Sequence, residues 1–320
     1  MIDINRDRYG RPLIIPPGGG KPAAYTRCTT YIKTIDDTHH LTQWQLRMAA
    51  YGVAATPYLP TLIKRCGPEP DDPDAKKQWR ATMAGHVETA LETAGAHDKA
   101  RRGTAFHQAT ETVDLGGAPD NEWATQIDIY RQATRHLKPV AVEQFLVCDE
   151  LQVAGTADRI YRVPGVAGTI IGDLKTGNIT YGASSIAMQL AIYAHSEMYD
   201  PATGHRTPVP ELRTDIGIII DHDLDAGTCQ LHQIDLVGAW DAVMLARDVR
   251  AWRKTGTATK LLTPFLPPVD AVDAAITVAI GQATSRDDLA ALWEEAAASG
   301  AWTEAHTTAA QTRLAHLNNI

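Results

Sequence analysis

The segment 153–177, VAGTADRIYRVPGVAGTIIGDLKTG, predicts two antiparallel strands joined by a tight loop. Asp158 lies in the first strand, and Asp173 and Lys175 end the second. Because side chains alternate between the faces of a strand, Asp173 and Lys175 point to the same face. If Asp158 pairs opposite Asp173, the loop is 164–167 and the two Cβ atoms lie about 5 Å apart. Carboxylates that close repel each other, and the pKa of one rises unless a cation lies between them.

The composition limits the class of protein. The chain has 320 residues, 44% hydrophobic and 21% charged, which suits one large α/β domain with extensions or two domains. The formal net charge of -8 argues against a surface covered with basic charge for holding nucleic acid. A local basic track remains compatible with this charge, since carboxylates that bind a metal are themselves negative.

Cysteine usage and hydropathy indicate a soluble protein in a reducing compartment. The cysteines are far apart and form no CxxC pair; they are Cys28, Cys66, Cys148 and Cys229. We therefore expect four reduced thiols. The sequence shows no signal peptide and no run near the ~18 apolar residues of a transmembrane helix, so we expect no membrane association and a cytoplasmic location.

The order of the remaining segments predicts an α/β fold with a central mixed sheet flanked by helices. A strand at 140–148 precedes the hairpin and a strong helix at 183–199 follows it. A second hairpin, 215–221 with 228–234, leads into a helix at 237–254. Earlier segments predict helices at 29–55, 78–94 and 101–113, with an exposed acidic loop at 66–74.

Three regions follow from this order. Residues 1–98 are expected to form an arm and a helical segment packed on the core, and residues 99–258 form the core itself. Residues 259–320 are expected to form a C-terminal extension of two or three helices. The Gly- and Pro-rich residues 1–24 predict an irregular arm, and residues 200–213 a polar loop.

Asp158, Asp173 and Lys175 form the first candidate site. Carboxylate-bound Mg²⁺ neutralises charge on a phosphodiester and makes water nucleophilic. Lys175 can hold the scissile phosphate or orient the attacking water. The alternative is a surface salt bridge between Asp173 and Lys175, because D-x-K tripeptides are common. The preceding GTAD and the buried strand 169–171 favour the site.

His107 and Glu111 form a second candidate pair. They lie four apart in a predicted helix and share a face, with Gly103 one turn earlier allowing a close approach to another element. His107 is a candidate nitrogen ligand, which favours Mn²⁺ slightly over Mg²⁺. The alternative is a core or surface histidine, which is the commoner role of a helical His.

Three further residues have weaker signals. Gln189 and Tyr193 share a helix face, so Gln189 is a candidate to bind near the site or a phosphate, and Tyr193 to place a hydroxyl or a stacking ring there. Packing of that helix, with Gln189 at its edge, is the alternative. Glu143 extends the acidic cluster from the preceding strand, or else faces solvent as most strand glutamates do.

Basic residues near these motifs are candidates for a phosphate track, although most charges are simply solvated. They are Arg101, Arg102, Arg131, Arg135, Lys138, Arg159 and Arg162.

Four motifs, taken together, resemble a known pattern. They are GTAFHQATE (103–111), GTAD (155–158), DLKTG (173–177) and QLAIY (189–193). In this order they resemble the RecB-like branch of the PD-(D/E)XK nuclease superfamily, and within it the Cas-four-like exonucleases of the phage type. The segment 25–50, YTRCTTYIKTIDDTHHLTQWQLRMAA, also resembles the N-terminal part of those proteins. The resemblance covers about residues 25–235.

The resemblance implies a restriction-endonuclease-like α/β core with helical extensions at both ends. It implies one or two Mg²⁺ or Mn²⁺ ions held by His107, Asp158, Asp173 and the backbone carbonyl of Leu174. Lys175 is the implied catalytic lysine. The family's Q-x-x-x-Y pair corresponds to Gln189 and Tyr193, so catalytic roles are expected for Asp158, Asp173, Gln189 and Tyr193. From the residues themselves, we expect supporting roles for Glu111 and Glu143. We also expect DNA contacts from Arg101, Arg102, Arg159, Gln189 and Tyr193.

The implied activity is metal-dependent DNA exonuclease action in phage or bacterial recombination, repair or replication, in the cytoplasm of a bacterial host. An annealing protein or a helicase is a candidate partner. Many relatives hold an iron–sulfur cluster with one upstream and three clustered C-terminal cysteines. This chain has no cysteine after Cys229, so we expect no cluster. An endonuclease on the same core and a non-catalytic DNA-binding accessory protein are the alternatives.

Overall fold

The computed structural model describes residues 4–256 and 269–318. Contacts divide the chain into two units, Met1–Arg253 and Lys254–Ile320. The first unit therefore includes both the predicted N-terminal segment and nearly all of the predicted core. No helix in the described ranges is long and apolar enough to cross a bilayer.

The first unit is an α/β structure built on a central mixed sheet. Its strands are β1 (Leu13–Ile14), β2 (Ala23–Ala24), β3 (Thr26–Arg27), β4 (Lys138–Cys148), β5 (Val153–Arg162), β6 (Thr169–Lys175), β7 (Glu197–Tyr199), β8 (Arg206–Pro208), β9 (Leu212–Asp223) and β10 (Thr228–Asp235). The helices are α1 (Cys28–Ile32), α2 (His39–Ala55), α3 (Leu59–Cys66), α4 (Pro73–Thr93), α5 (Asp98–Asp114), α6 (Ala124–Thr134), α7 (Ala183–Ala194) and α8 (Val237–Thr255).

The main sheet runs in the order β10-β9-β6-β5-β4-β7-β8, with β3 added beside β5. The β6–β9 and β3–β5 pairs are parallel and the others are antiparallel. Helices α1, α7 and α8 pack on one face, against residues such as Ile171, and α5 and α6 cover the other, against Leu174 and Tyr161. The predicted mixed sheet flanked by helices is confirmed.

The β5–β6 hairpin has the predicted register. Arg159 pairs with Gly172 and Arg162 with Thr169, which places Asp158 next to Asp173 at the end of the paired segment. The loop is 163–168, longer than the predicted 164–167, because neither strand reaches the turn. Gly165 and Gly168 in this loop have φ of 82° and 83°, a backbone conformation that favours glycine.

Two expectations about local structure were wrong, and one helix was missed. The predicted helix 183–199 ends at Ala194, because the chain beyond it pairs as β7 with the edge of β4. The predicted loop 200–213 contains β8, which extends the same sheet edge. Helix α6 was not predicted, and Ile127 and Tyr130 within it are buried against the sheet. In each case tertiary contacts, rather than the local sequence pattern, decide the structure of the segment.

The helices α2 and α4 pack closely at Gly52. A Cβ placed there would lie 1.9 Å from the carbonyl oxygen of Ala90, so only glycine allows this approach. Asp72 caps α4 by accepting from the amide of Ala75, which starts the helix inside the predicted acidic loop.

The second unit contains three helices, α9 (Val269–Gln282), α10 (Arg286–Ala298) and α11 (Glu304–Leu317). They pack around Ile280, Ala283 and Leu289. Ser285 and Thr303 begin α10 and α11 with capping boxes, which satisfy backbone amides at each helix start.

Candidate metal centre and active site

The candidate site forms where α5 approaches the middle of β5 and the end of β6. His107 lies on α5, Asp158 on β5, and Asp173, Leu174 and Lys175 on β6. The position of α5 is fixed by Phe106, which is fully buried in the same cluster as Leu174. Gly103 allows this approach, since a Cβ there would lie 2.4 Å from the hydroxyl of Thr176.

Asp158 joins the helix to the neighbouring strand. Its Oδ2 accepts a hydrogen bond from the Leu174 amide at 3.1 Å and lies 3.4 Å from Nδ1 of His107. Burial lowers the pKa of His107, and the charge of Lys175 adds to this, against the opposing effect of Asp158 and of the Leu174 backbone. A neutral imidazole at neutral pH is the form that binds a metal.

Asp173 is buried beside Asp158 and Lys175. It is 2% exposed, and its Oδ2 lies 2.6 Å from Nζ of Lys175. Burial, and then the charge of Asp158, raises the pKa of Asp173 to about 7. A carboxylate that is buried beside a second carboxylate is stabilised by a nearby cation.

Glu143 turns into the acidic cluster. Its φ is 51°, and the β4–β5 pairing is interrupted between the flanking pairs Val142–Arg159 and Gln144–Ala157. Burial, then the charges of Glu111 and Asp158, raises the pKa of Glu143 to about 7. A left-handed conformation at a non-glycine residue is strained, and such strain is found mainly at functional sites.

These groups fit a hard divalent cation. The carboxylates of Glu111, Glu143, Asp158 and Asp173 lie in one electrostatic neighbourhood with the imidazole of His107 and the Leu174 backbone. Oxygen donors with a single nitrogen suit Mg²⁺ or Mn²⁺. The ligand atoms of His107, Asp158 and Asp173 are not all within 4.8 Å of one another. In the described part of the chain, the group that does meet this distance is Glu88, Glu92 and His97, on α4 and the loop after it.

Tyr193 lies beneath the site rather than at its surface. It is 4% exposed, and a Cβ on Gly155 would lie 2.5 Å from its hydroxyl. Burial raises the pKa of Tyr193 well above its usual value, and the nearby Cys28, Asp158 and Asp173 add to the rise. The expectation of a ring that stacks on DNA is therefore wrong. Gln189, one turn earlier, is half-buried.

Arg159 does not contact DNA, contrary to the sequence-based expectation. Its side chain has no exposed surface, and its Nε donates to Asp114 at 2.6 Å. Its two other nitrogens donate to the backbone carbonyl of Asp158 and to the hydroxyl of Thr110, both at 3.0 Å. The Thr110 hydroxyl in turn donates to the carbonyl of His107 at 2.7 Å. Arg159 therefore links the backbones of His107 and Asp158.

Sequence reasoning missed the partners of Arg159, although a signal for its burial was present. Tyr130 donates to the same Asp114 oxygen at 2.7 Å and lies 3.3 Å from the hydroxyl of Tyr161. Strand alternation puts Arg159 on the same face as Tyr161, which is the face that helices cover. A buried arginine requires an acidic partner, and Asp114 is at the end of α5.

The other predicted basic residues are exposed but mostly paired. Arg101 binds Glu92 and Asp98, and Arg102 binds Asp225 and the carbonyl of Leu224. Exposed ion pairs exchange partners readily, so these two arginines remain available to phosphate. A polar cleft lined by Arg102, Lys99 and the loop 176–180 adjoins Lys175.

All four cysteines are free. No protein-family model matches the chain. No curated protein matches its sequence.

Proposed function

We propose that this chain is a metal-dependent DNA exonuclease of the RecB-like branch of the PD-(D/E)XK superfamily. The observation that carries the proposal is the buried carboxylate of Asp173, which lies next to Asp158 and has its Oδ2 2.6 Å from Nζ of Lys175. It supports a cation-binding carboxylate pair with a lysine on the same strand. The order of the four sequence motifs supports the family and DNA as substrate.

Each group has a distinct role in this proposal. The ion, when bound, supplies positive charge to the phosphate and lowers the pKa of water. His107, Asp158, Asp173 and the Leu174 carbonyl hold it. The Leu174 amide fixes Oδ2 of Asp158 and so orients that carboxylate. Lys175 is 30% exposed, so its ammonium can leave Asp173 to hold the scissile phosphate or orient the attacking water.

Tyr193 lies beneath the site and Glu143 lies beside it, and both support the groups that hold the ion. The buried hydroxyl of Tyr193 fixes the position of β5 at Gly155, three residues before Asp158. Glu143 and Glu111 add negative charge, which strengthens cation binding and explains why burial and repulsion raise the pKa of Glu143. Arg159 fixes the distance between α5 and β5.

The alternatives are an endonuclease on the same core and a DNA-binding protein without activity. End-labelled linear DNA and covalently closed circles, incubated with Mg²⁺, Mn²⁺ or EDTA, separate them. We expect metal-dependent loss of the linear DNA while the circles remain intact. Cleavage of the circles supports the endonuclease. Binding without cleavage in either metal supports the accessory protein.

Two variants test the site itself. Asp173→Asn keeps the shape of the side chain and removes its charge, and Lys175→Met removes the ammonium. We expect each to lose activity on the order of 100-fold or more with an unchanged circular dichroism spectrum. Asp128→Asn, on the exposed surface of α6, is the matched control. Full activity in both site variants would reject the assignment.

A further inference from the structure

Helix α2 presents an exposed row of aromatic and basic side chains. His40, Trp44, Arg47 and Tyr51 follow the spacing i, i+4, i+7, i+11, so they lie on one face of the helix. All four are exposed; Trp44 is 38% and Tyr51 65% exposed. The helix packs on α4 through Gly52, which lies about 100° or more around the helix from the centre of the row.

The row continues into the loop that follows the catalytic strand. The ring of Tyr181 lies 6.3 Å from that of His40 and is 82% exposed. Tyr181 is in the loop that begins after Lys175, and the intervening residues span at most about 20 Å. Along α2 the row from His40 to Tyr51 extends for about 16 Å. The exposed aromatic rings therefore extend from the loop beside the candidate site along the length of α2.

The charge of this region is opposite to that of the whole chain. Residues 39–66, which form α2 and α3, contain Arg47, Lys64 and Arg65 and no Asp or Glu, although the net charge is -8. None of these three cations forms an ion pair with residues in the described ranges, whereas Arg101 and Arg102 do. A surface with exposed rings and unpaired cations complements an anion that carries flat rings.

We propose that this row, Tyr181–His40–Trp44–Arg47–Tyr51, is a stacking surface for single-stranded nucleic acid that leads to the active site. The proposal rests on the nuclease function and specifies the form of its substrate. Bases of a single strand stack on aromatic side chains at about 1–3 kcal/mol each by alanine substitution, and Arg47 contacts the phosphates between them. Paired bases in a duplex do not offer their faces, so the row favours single strands.

The test is binding of a fluorescein-labelled oligothymidylate to the full chain in EDTA, read by anisotropy. EDTA prevents cleavage, so binding is measured separately from activity. We expect the double variant Trp44→Leu/Tyr51→Leu to bind at least about 30-fold more weakly, and Trp44→Phe/Tyr51→Phe to stay within about threefold of the wild type. Tyr9→Leu, an equally exposed tyrosine outside α2, is the control and should bind like the wild type.

Salt dependence tests the basic component. Arg47→Gln should reduce the slope of log K against log salt by about 0.7, the value for one phosphate contact on a single strand. Wild-type affinity in the double leucine variant would overturn the proposal. So would an equal loss in the phenylalanine variant, or a dimer in sedimentation that the leucine variant dissociates. Failure of the wild type to cleave any DNA would reject the nuclease function and leave this binding result intact.

Discussion

The buried pair of Arg159 and Asp114 offers a quantitative prediction about stability. The arginine side chain has no exposed surface and the aspartate side chain is 11% exposed. Removing one partner of a buried ion pair leaves an uncompensated charge and costs about 3–5 kcal/mol, whereas removing both is often nearly neutral. Asp114→Asn and Arg159→Met should each lower the free energy of unfolding by about 3 kcal/mol.

The double variant separates this explanation from a simple loss of packing. Because Asp114→Asn/Arg159→Met contains no unpaired charge, its loss should be well below the sum of the two single losses, with a coupling energy of about 2–3 kcal/mol. Urea unfolding followed by circular dichroism and tryptophan fluorescence gives the values for the first unit. Arg131→Met, which breaks an exposed pair on α6, should cause no measurable change. Additive losses in the double variant would refute the reasoning.

Three further predictions concern other parts of the first unit. Gly52→Ala should lower the urea midpoint strongly, because its Cβ would lie 1.9 Å from the Ala90 carbonyl, and an unchanged midpoint would contradict the packing of α2 on α4. Gly155→Ala should reduce cleavage, because its Cβ would displace the hydroxyl of Tyr193, 2.5 Å away; wild-type kcat would contradict this. Burial lowers the pKa of His222 to about 4, so its contribution to stability is complete above about pH 6.5 and is lost as the pH falls to about 4. The difference in unfolding free energy between pH 7.5 and 4.5 should therefore be smaller in His222→Gln, by at most about 3 kcal/mol, and an equal difference would exclude this role.

The sign of the His222 effect follows from its surroundings. Its Nε2 bonds to the Gln126 side-chain oxygen at 2.8 Å, and its buried Nδ1 has no partner in the described structure. Protonating Nδ1 would bury a donor without an acceptor, next to the ring of Phe106. The folded protein therefore resists the proton that the unfolded chain accepts below pH 6.5.

The sequence pattern predicted those parts of the fold that depend on residues close together in the chain. The register of the β5–β6 hairpin follows from strand alternation, and it brings Asp158 and Asp173 together as expected. His107 lies close to Asp158 because Gly103, one turn earlier on the same face of α5, allows the helix to approach the strands. These residues could be named from the sequence because each lies in a strongly patterned element.

The remaining features depend on contacts between distant segments. The chain leaves α7 after Ala194 because β4 offers an open edge, which no local pattern reveals. Glu143 itself has the strained, left-handed backbone, and this conformation turns its side chain toward the acidic cluster. Strand alternation cannot predict the orientation of a residue in such a conformation. The sequence suggests Arg159 as a DNA contact because its partner, Asp114, is distant in the sequence. Charge alone does not distinguish a buried arginine from an exposed one.

Binding of Mn²⁺, measured by isothermal titration, tests the central claim most directly. Within residues 4–256 and 269–318, two groups of possible ligands compete: the candidate site around Asp158, and the surface group of Glu88, Glu92 and His97. We predict that Asp158→Asn weakens Mn²⁺ binding by at least about tenfold, and that Glu88→Gln leaves it unchanged. Unchanged binding in Asp158→Asn, with loss in Glu88→Gln, would contradict the account.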